Sequence, residues 1–147
     1  MKSRIVALFK DEEGFYEDFS MTIDTNTDGD DVYHSFRKLE DITNRGYLLD
    51  SCFITTNEEL YLKKLLESSL IKLKSTKEVY KKHIEVLEEK HGEDSQVVKT
   101  TRTLQKDYEK SLMKVVGMRC ARCIMRDIEV TDEIALQCCD LLNKNLV

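Results

Sequence analysis

The apolar residues of this sequence are most regularly spaced between positions 56 and 116, where the spacing is that of an α-helix. In the first half of this stretch they recur at steps of three, four and seven residues, so one helix face is apolar, and Lys77 alone interrupts it. The face consists of Leu66, Leu70, Leu73, Tyr80, Ile84 and Leu87. The pattern predicts a long helix with an apolar seam along one side.

Local residues indicate where this helix begins and ends. Thr56 and Glu59 have the spacing of a capping box, which predicts a helix start, and Gly92 can adopt the left-handed conformation that ends one. Asp94 or Ser95 can cap a return helix. The predicted apolar face of the return helix is Val97, Thr101, Leu104, Tyr108, Leu112 and Val115. Residues 57–116 are therefore predicted to form an antiparallel helical hairpin.

The residues before the hairpin predict a small ββαβ element, residues 1–56. Residues 3–10 have the composition of a strand, and from Phe15 onward the apolar residues largely alternate with polar ones, as in a half-buried strand. A helix follows and ends at Arg45 and Gly46, and residues 47–55 are rich in apolar and β-branched side chains, which predicts a third strand. The simplest packing is a sheet with one helix on its face.

The C-terminal part, residues 117–147, is predicted to be a helical segment. Gly117 suggests a break or bend in the chain, and Thr131 can cap a short last helix. The predicted fold class is mostly α (α+β), with a long antiparallel helical hairpin, an N-terminal ββαβ element and a short C-terminal helix in a single domain, residues 1–147. Because the remaining residues are few for two long seams, we expect a homo-oligomer joined through the six-residue seam named above.

Composition narrows the class of protein. With 147 residues, 41% of them apolar and 35% charged, the chain can bury a modest core. No apolar run reaches the roughly 18 residues of a membrane helix, and no signal-peptide core is visible, so we expect a cytoplasmic protein that does not bind membranes. The odd number of cysteines, five, favours reduced thiols without disulfides.

The charge of the chain is unevenly distributed. The net charge is −5, and residues 1–56 carry 6 basic and 12 acidic side chains. The lysines of the hairpin alternate with glutamates, as on solvated helix faces, and form no basic face of the kind that binds a duplex. The sequence therefore argues against general nucleic-acid binding.

One acidic segment resembles half of a calcium-binding loop. Asp24, Asn26, Asp28 and Asp30 supply oxygen side chains at alternate positions, and Gly29 lies among them. However, Ser35 stands where a bidentate Glu would complete the loop. The alternative is an acidic turn in which Asp30 or Asp31 caps the following helix.

Four cysteines are candidates for a zinc site. Cys120 and Cys123 have the spacing of a zinc knuckle, and Cys138 with Cys139 could complete a tetrahedral set. Vicinal cysteines seldom both bind one ion, however, and small cysteines on helices are commonly buried packing residues. The favoured interpretation is therefore thiol packing, and no cofactor is predicted.

Three arginines form the candidate ligand-binding site. Arg119, Arg122 and Arg126 are spaced three and four residues apart, which places them on one helix face. A guanidinium grips phosphate oxygens in pairs, so this row suits an anionic, nucleotide-like small molecule. The alternative is pairing with Asp127, Glu129 or the acidic N-terminal segment.

These observations favour a non-enzymatic protein. The three histidines form no recognisable motif with a cysteine or serine, and no phosphate-binding glycine loop is present. The leading hypothesis is a small oligomeric binding protein that acts stoichiometrically, either by sequestering a nucleotide-like molecule or by inhibiting a partner, as many phage-encoded proteins do. The alternatives are a protein–protein adaptor with an exposed helix face, and a metal-stabilised structural module.

Overall fold

A computed structural model describes the backbone of residues 2–24, 29–124 and 131–145, and their side chains except those of residues 29–31, 132 and 141–145. The elements in chain order are β1 (Lys2–Lys10), β2 (Tyr16–Asp24), α1 (Gly29–Asn44), β3 (Leu48–Thr55), α2 (Glu58–His91), α3 (Gln96–Ile124) and α4 (Asp132–Asn145). The two long helices pack against each other. The predicted fold class, with its ββαβ element, helical hairpin and C-terminal helix, is confirmed.

The sheet is covered on both faces at its central strand. Its strands are antiparallel in the order β2-β1-β3, so β1 is central. Successive strand residues point to opposite faces, yet all four residues from Val6 to Phe9 are buried. On one face Ala7 and Phe9 pack with Ile42 of α1, and on the other Val6 packs with Leu65 of α2. The sheet therefore lies between α1 and the first half of α2.

Side chains and glycines cap the helices largely where the sequence places them. Gly92 ends α2 with φ +83°, and the hydroxyl of Ser95 accepts from the N–H of Val98 at the start of α3. The start of α2 differs from the prediction. Its N-cap is Asn57, whose side chain accepts the N–H of Leu60 at 3.1 Å, and not the preceding threonine.

The six-residue seam of α2 is filled within the chain. Leu66, Leu70 and Leu73 pack against α3 and α4, in a cluster that contains Leu112 and Cys139. Further along α2, the ring of Tyr80 lies 5.6 Å from that of Phe15, in the turn between β1 and β2. Ile84 is buried and Leu87 is half-buried. From Leu66 to Tyr80, the surface that suggested self-association is thus occupied by this chain's own elements.

The buried face of α3 is rotated relative to the predicted one. Its buried side chains include Val98, Leu112 and Val116, whereas four of the six predicted positions are 40–61% exposed. These four are Val97, Leu104, Tyr108 and Val115. The prediction of this face was therefore wrong at most positions. The helix is rotated because small residues in its C-terminal part, among them Gly117, must face α4.

Gly117 lies at that close approach of α3 and α4. Of the predicted break or bend, the break is wrong, because α3 continues to Ile124. A Cβ at position 117 would overlap the backbone carbonyl of Ala135 and lie 2.9 Å from its Cα. The glycine is therefore required by the packing of two helices, and not by a turn.

We expect Gly117→Ala to destabilise the protein by about 1–3 kcal/mol, because the new methyl group must displace the α4 backbone. In an unobstructed helix the same change would stabilise by about 0.5–1 kcal/mol, so the sign of the effect is diagnostic. Urea denaturation measures it. Ser111→Ala, at an exposed position of α3, is the control and should change the unfolding free energy by less than about 0.5 kcal/mol.

Candidate functional site

Most of the acidic segment proposed for calcium lies outside the described residues. Asn26 and Asp28 belong to the range that is not described, and Asp24 ends β2 opposite Lys2. Because α1 begins at Gly29, Asp30 and Asp31 lie inside its first turn, and their side chains are outside the described part of the structure. Among the residues that the structure describes, no three His, Cys, Asp or Glu side chains are grouped so that they could hold a metal ion.

The four C-terminal cysteines lie where α3 and α4 meet. Cys120 is buried within hydrogen-bonding distance of Cys138, and Cys139 is buried in the apolar cluster with Leu73. Burial raises the pKa of Cys120 to about 11, and the neighbouring thiols Cys138, Cys123 and Cys139 add to this. A thiol with so high a pKa is protonated at neutral pH and is a poor nucleophile. The geometry therefore favours the thiol-packing interpretation.

Arg119, the first arginine of the predicted row, is engaged inside the protein. Its guanidinium donates to Asp18 Oδ2 at 2.8 Å, to the backbone carbonyl of Leu65 at 3.2 Å and to the hydroxyl of Ser69. Arg122 is exposed one turn further along α3, and Arg126 lies outside the described residues. The structure therefore shows pairing with the acidic N-terminal segment, within one chain, at Arg119.

The Arg119–Asp18 pair belongs to a larger group of charges that we call the ion cluster: Glu17, Asp18, Arg45, Lys72 and Arg119. Lys72 of α2 donates to Glu17 at 2.9 Å and lies 3.6 Å from Asp18. Arg45, just after α1, lies 3.5 Å from Glu17. The cluster connects β2 to three helical parts of the chain. Sequence reasoning did not single out Glu17, Asp18 or Lys72.

The ion cluster changes the titration of its members. Burial by itself raises the pKa of Asp18, but Arg119, Lys72 and Lys38 together outweigh it, and the pKa is lowered. Burial likewise lowers the pKa of Lys72, but its hydrogen bond and charge interaction with Glu17, and the charge of Asp18, raise it overall. Both groups are thus held in their charged forms. The cluster is internally satisfied and has the character of a structural element.

The largest exposed apolar feature of the sheet is β3. Leu48, Leu49 and Ile54 are 75%, 60% and 63% exposed. Since β3 is at the end of the strand order, no described strand pairs with its outer edge. Sequence reasoning did not predict this exposure. The presence of only one charged residue, Asp50, among residues 47–55 was a signal that could have indicated it, because charged residues commonly protect exposed edges.

Two depressions flank β3. A cleft of about 170 Å³ separates β3 from α2 and is lined by side chains that include Phe53, Lys64 and Ile71. A shallower depression of about 450 Å³ lies at the start of β3, next to Leu48 and Asp50. We refer to the outer edge of β3 with these two depressions as the β3 edge site. Its elements are a strand edge with which no described strand pairs, a cleft with a partly apolar lining, and a polar rim, which together suit an extended polypeptide.

Comparisons with protein-family models, with curated proteins and with solved structures found no match to this chain. No helix in the described ranges is both long and apolar enough to span a bilayer.

The ion cluster can be tested with Asp18→Asn, which keeps the shape of the side chain and removes its charge. We expect the unfolding free energy at pH 7 to fall by about 3 kcal/mol, because Arg119 and Lys72 lose a counter-charge in a largely buried place. Because folding lowers the pKa of Asp18, its charge contributes fully to the unfolding free energy above pH 3.8, the ordinary carboxyl pKa. This contribution is lost as the pH falls through the pKa of Asp18 in the folded state.

Urea denaturation over a pH series measures this effect. The difference between the wild type and Asp18→Asn should shrink as the pH is lowered from about 5, where carboxyl groups begin to protonate. Asp107→Asn, at an exposed position of α3, is the matched control and should change stability by less than about 0.5 kcal/mol. A difference that stays constant at all pH values would contradict the assigned role of Asp18.

Proposed function

We propose that this protein is a non-enzymatic binding protein that acts stoichiometrically, by adding an extended segment of a partner protein to the outer edge of β3. The observation that carries this proposal is the exposure of a whole strand edge with three large apolar side chains, Leu48, Leu49 and Ile54. Such an edge presents unpaired N–H and C=O groups, which are a template for another strand.

The two edges of the sheet differ in a way that supports this proposal. The β2 edge carries Glu17 and Asp18, whose charges are held by the ion cluster. The β2 edge also carries Asp24, whereas the β3 edge carries a single charged residue, Asp50; neither strand contains lysine, arginine or proline. Charged residues and prolines on an edge discourage strand addition. The sequence thus protects one edge of the sheet and leaves the other available to a partner.

Sequestration of a nucleotide-like molecule is less well supported by the geometry. Arg119 already donates to Asp18, Leu65 and Ser69, so a phosphate would have to displace these acceptors. Of the predicted row, Arg122 is the member that the structure describes as exposed. We therefore place the binding function on the sheet edge and not on the arginine row. The proposal keeps the idea of an adaptor or inhibitor but moves its binding surface from a helix face to a strand.

Self-association remains part of the proposal, with a different surface from the predicted seam. The exposed residues Val97, Leu104, Tyr108 and Val115 of α3 are spaced seven, four and seven residues apart. This is the spacing of a coiled-coil seam, which two copies of α3 could share. None of these four residues lines the two depressions beside β3.

We expect Ile54→Lys to weaken binding of an extended peptide at least about tenfold, because it removes apolar contact and places a charge on the edge. The probes are ten-residue peptides selected from a random display library on the wild-type protein. Affinity is measured by fluorescence anisotropy. Hydrogen–deuterium exchange should show that a bound peptide protects the amides of residues 48–55.

Ile23→Lys is the matched control, since Ile23 is a 40% exposed isoleucine on the opposite edge strand. It should leave peptide binding unchanged. Both variants should keep their stability within about 0.5 kcal/mol, because the replaced side chains are exposed. Peptides that bind both lysine variants as well as the wild type, or that protect other parts of the chain, would refute strand addition at β3.

Self-association through α3 is tested with Leu104→Glu. If two copies of α3 pair, the wild type should have a mass above one chain by light scattering at micromolar concentration, and the variant should shift to the single-chain mass of 17.2 kDa. Leu60→Glu, at another exposed helix leucine, is the control and should not change the mass. A wild type that is already monomeric would end this part of the proposal.

A further inference from the structure

We infer that the segment bound at the β3 edge site has apolar side chains at alternate positions and a lysine or arginine at the end that lies beside Leu48. This inference rests on the proposed function and specifies the chemistry of its partner. Three features carry it: the two sides of β3, the bulge at Asp50 and the acidic rim of the depression at the start of the strand.

The two sides of β3 differ, so an added strand requires apolar residues at alternate positions. On the side of α2, the cleft has a volume of about 170 Å³, which is suited to one medium-sized side chain. Its lining combines Phe53 and Ile71 with the charged residues Lys64 and Glu67, so it does not require an apolar side chain. On the opposite side, Leu49 and Ile54 are exposed beyond the part of the sheet that α1 covers. Because successive residues of a strand point to opposite sides, every second residue of an added strand would lie on this apolar surface.

A β-bulge directs a carboxylate toward the start of β3. Leu8 pairs with Ser51 and Phe9 pairs with Leu49, so Asp50 has no partner in β1. An extra residue of this kind bends the strand and re-aims the side chain. Asp50 accordingly lines the depression at the start of the strand, and it is the one acidic residue of β3.

The rim of this depression carries an excess of negative charge. Asp11, Glu12 and Asp50 line it together with a single lysine, Lys10. The carboxylate of Asp11 accepts the backbone N–H groups of Gly14 and Phe15 at 2.9 and 2.8 Å, so its position is fixed by the turn. A cation of the bound segment would meet an acidic group that is already in place.

The same charges argue against a second copy of this chain as the occupant. An antiparallel β3–β3 pair that keeps side chains on matching faces would bring no lysine or arginine of β3 to the depression, since residues 48–55 contain none. It would also bring together two N-terminal parts that each carry 6 basic and 12 acidic side chains. Like charges at an interface oppose association. A basic segment of another protein has the complementary charge.

The test uses the peptides selected on the wild-type protein and a double variant, Glu12→Gln with Asp50→Asn. The selected peptides should share alternating apolar positions and a lysine or arginine at one end. Their affinity should fall about tenfold for the double variant, as expected for the loss of two surface charge interactions. The control, Glu78→Gln with Asp107→Asn, removes the same charge from exposed helix positions and should not weaken binding.

Each outcome distinguishes the inference from the function on which it rests. Peptides that protect residues 48–55 but carry no basic residue, or that bind the double variant as tightly as the wild type, overturn the inference and leave strand addition standing. A wild type whose mass above one chain is lost in Ile54→Lys shows a second copy at the edge, and this overturns the inference as well. Failure to select any peptide that protects β3 counts against both proposals.

Discussion

The ion pair between Asp18 and Arg119 holds the two halves of this protein in register. The residues are 101 positions apart, and their contact joins the edge strand β2 to the C-terminal part of α3. Apolar contacts between the sheet and α2 are compatible with small rotations, whereas a largely buried guanidinium must keep its acceptors. The orientation of the sheet on the hairpin therefore depends on this pair, and so does the cleft between β3 and α2.

The elements of the fold could be predicted because they are determined locally. The spacing of apolar residues predicted the three strands and four helices that the structure shows. Gly92, Ser95 and Thr131 lie at helix ends, as predicted. The rotation of α3 could not be predicted in this way. The helix has two apolar stripes, one with Val98 and one with Val97, and the close approach of α4 at Gly117 decides between them. That approach is a property of the assembled fold.

The candidate site was less predictable for the same reason. A row of arginines at helical spacing fits phosphate binding equally well whether or not a carboxylate on a distant strand occupies Arg119. The exposure of β3 depends on the strand order, because in the order β2-β1-β3 the last strand in sequence is an edge strand. Periodicity along the chain predicts which residues face a common side, but it contains no information on which strand is central.

The hairpin has a well-packed base, where it contacts the sheet and α4, and a sparsely packed tip, near Gly92 where its two helices are joined. Beyond the reach of the sheet and α4, Ile84 and Val98 are the buried apolar residues of α2 and α3, and an open groove of about 540 Å³ lies between Lys81 and Gln105. Cooperative unfolding units generally follow such differences in packing. The outermost turns should therefore open at a much smaller free-energy cost than the whole molecule. In mechanical terms, the sheet and the hairpin base form a stiff unit, and the hairpin tip is a compliant extension of it.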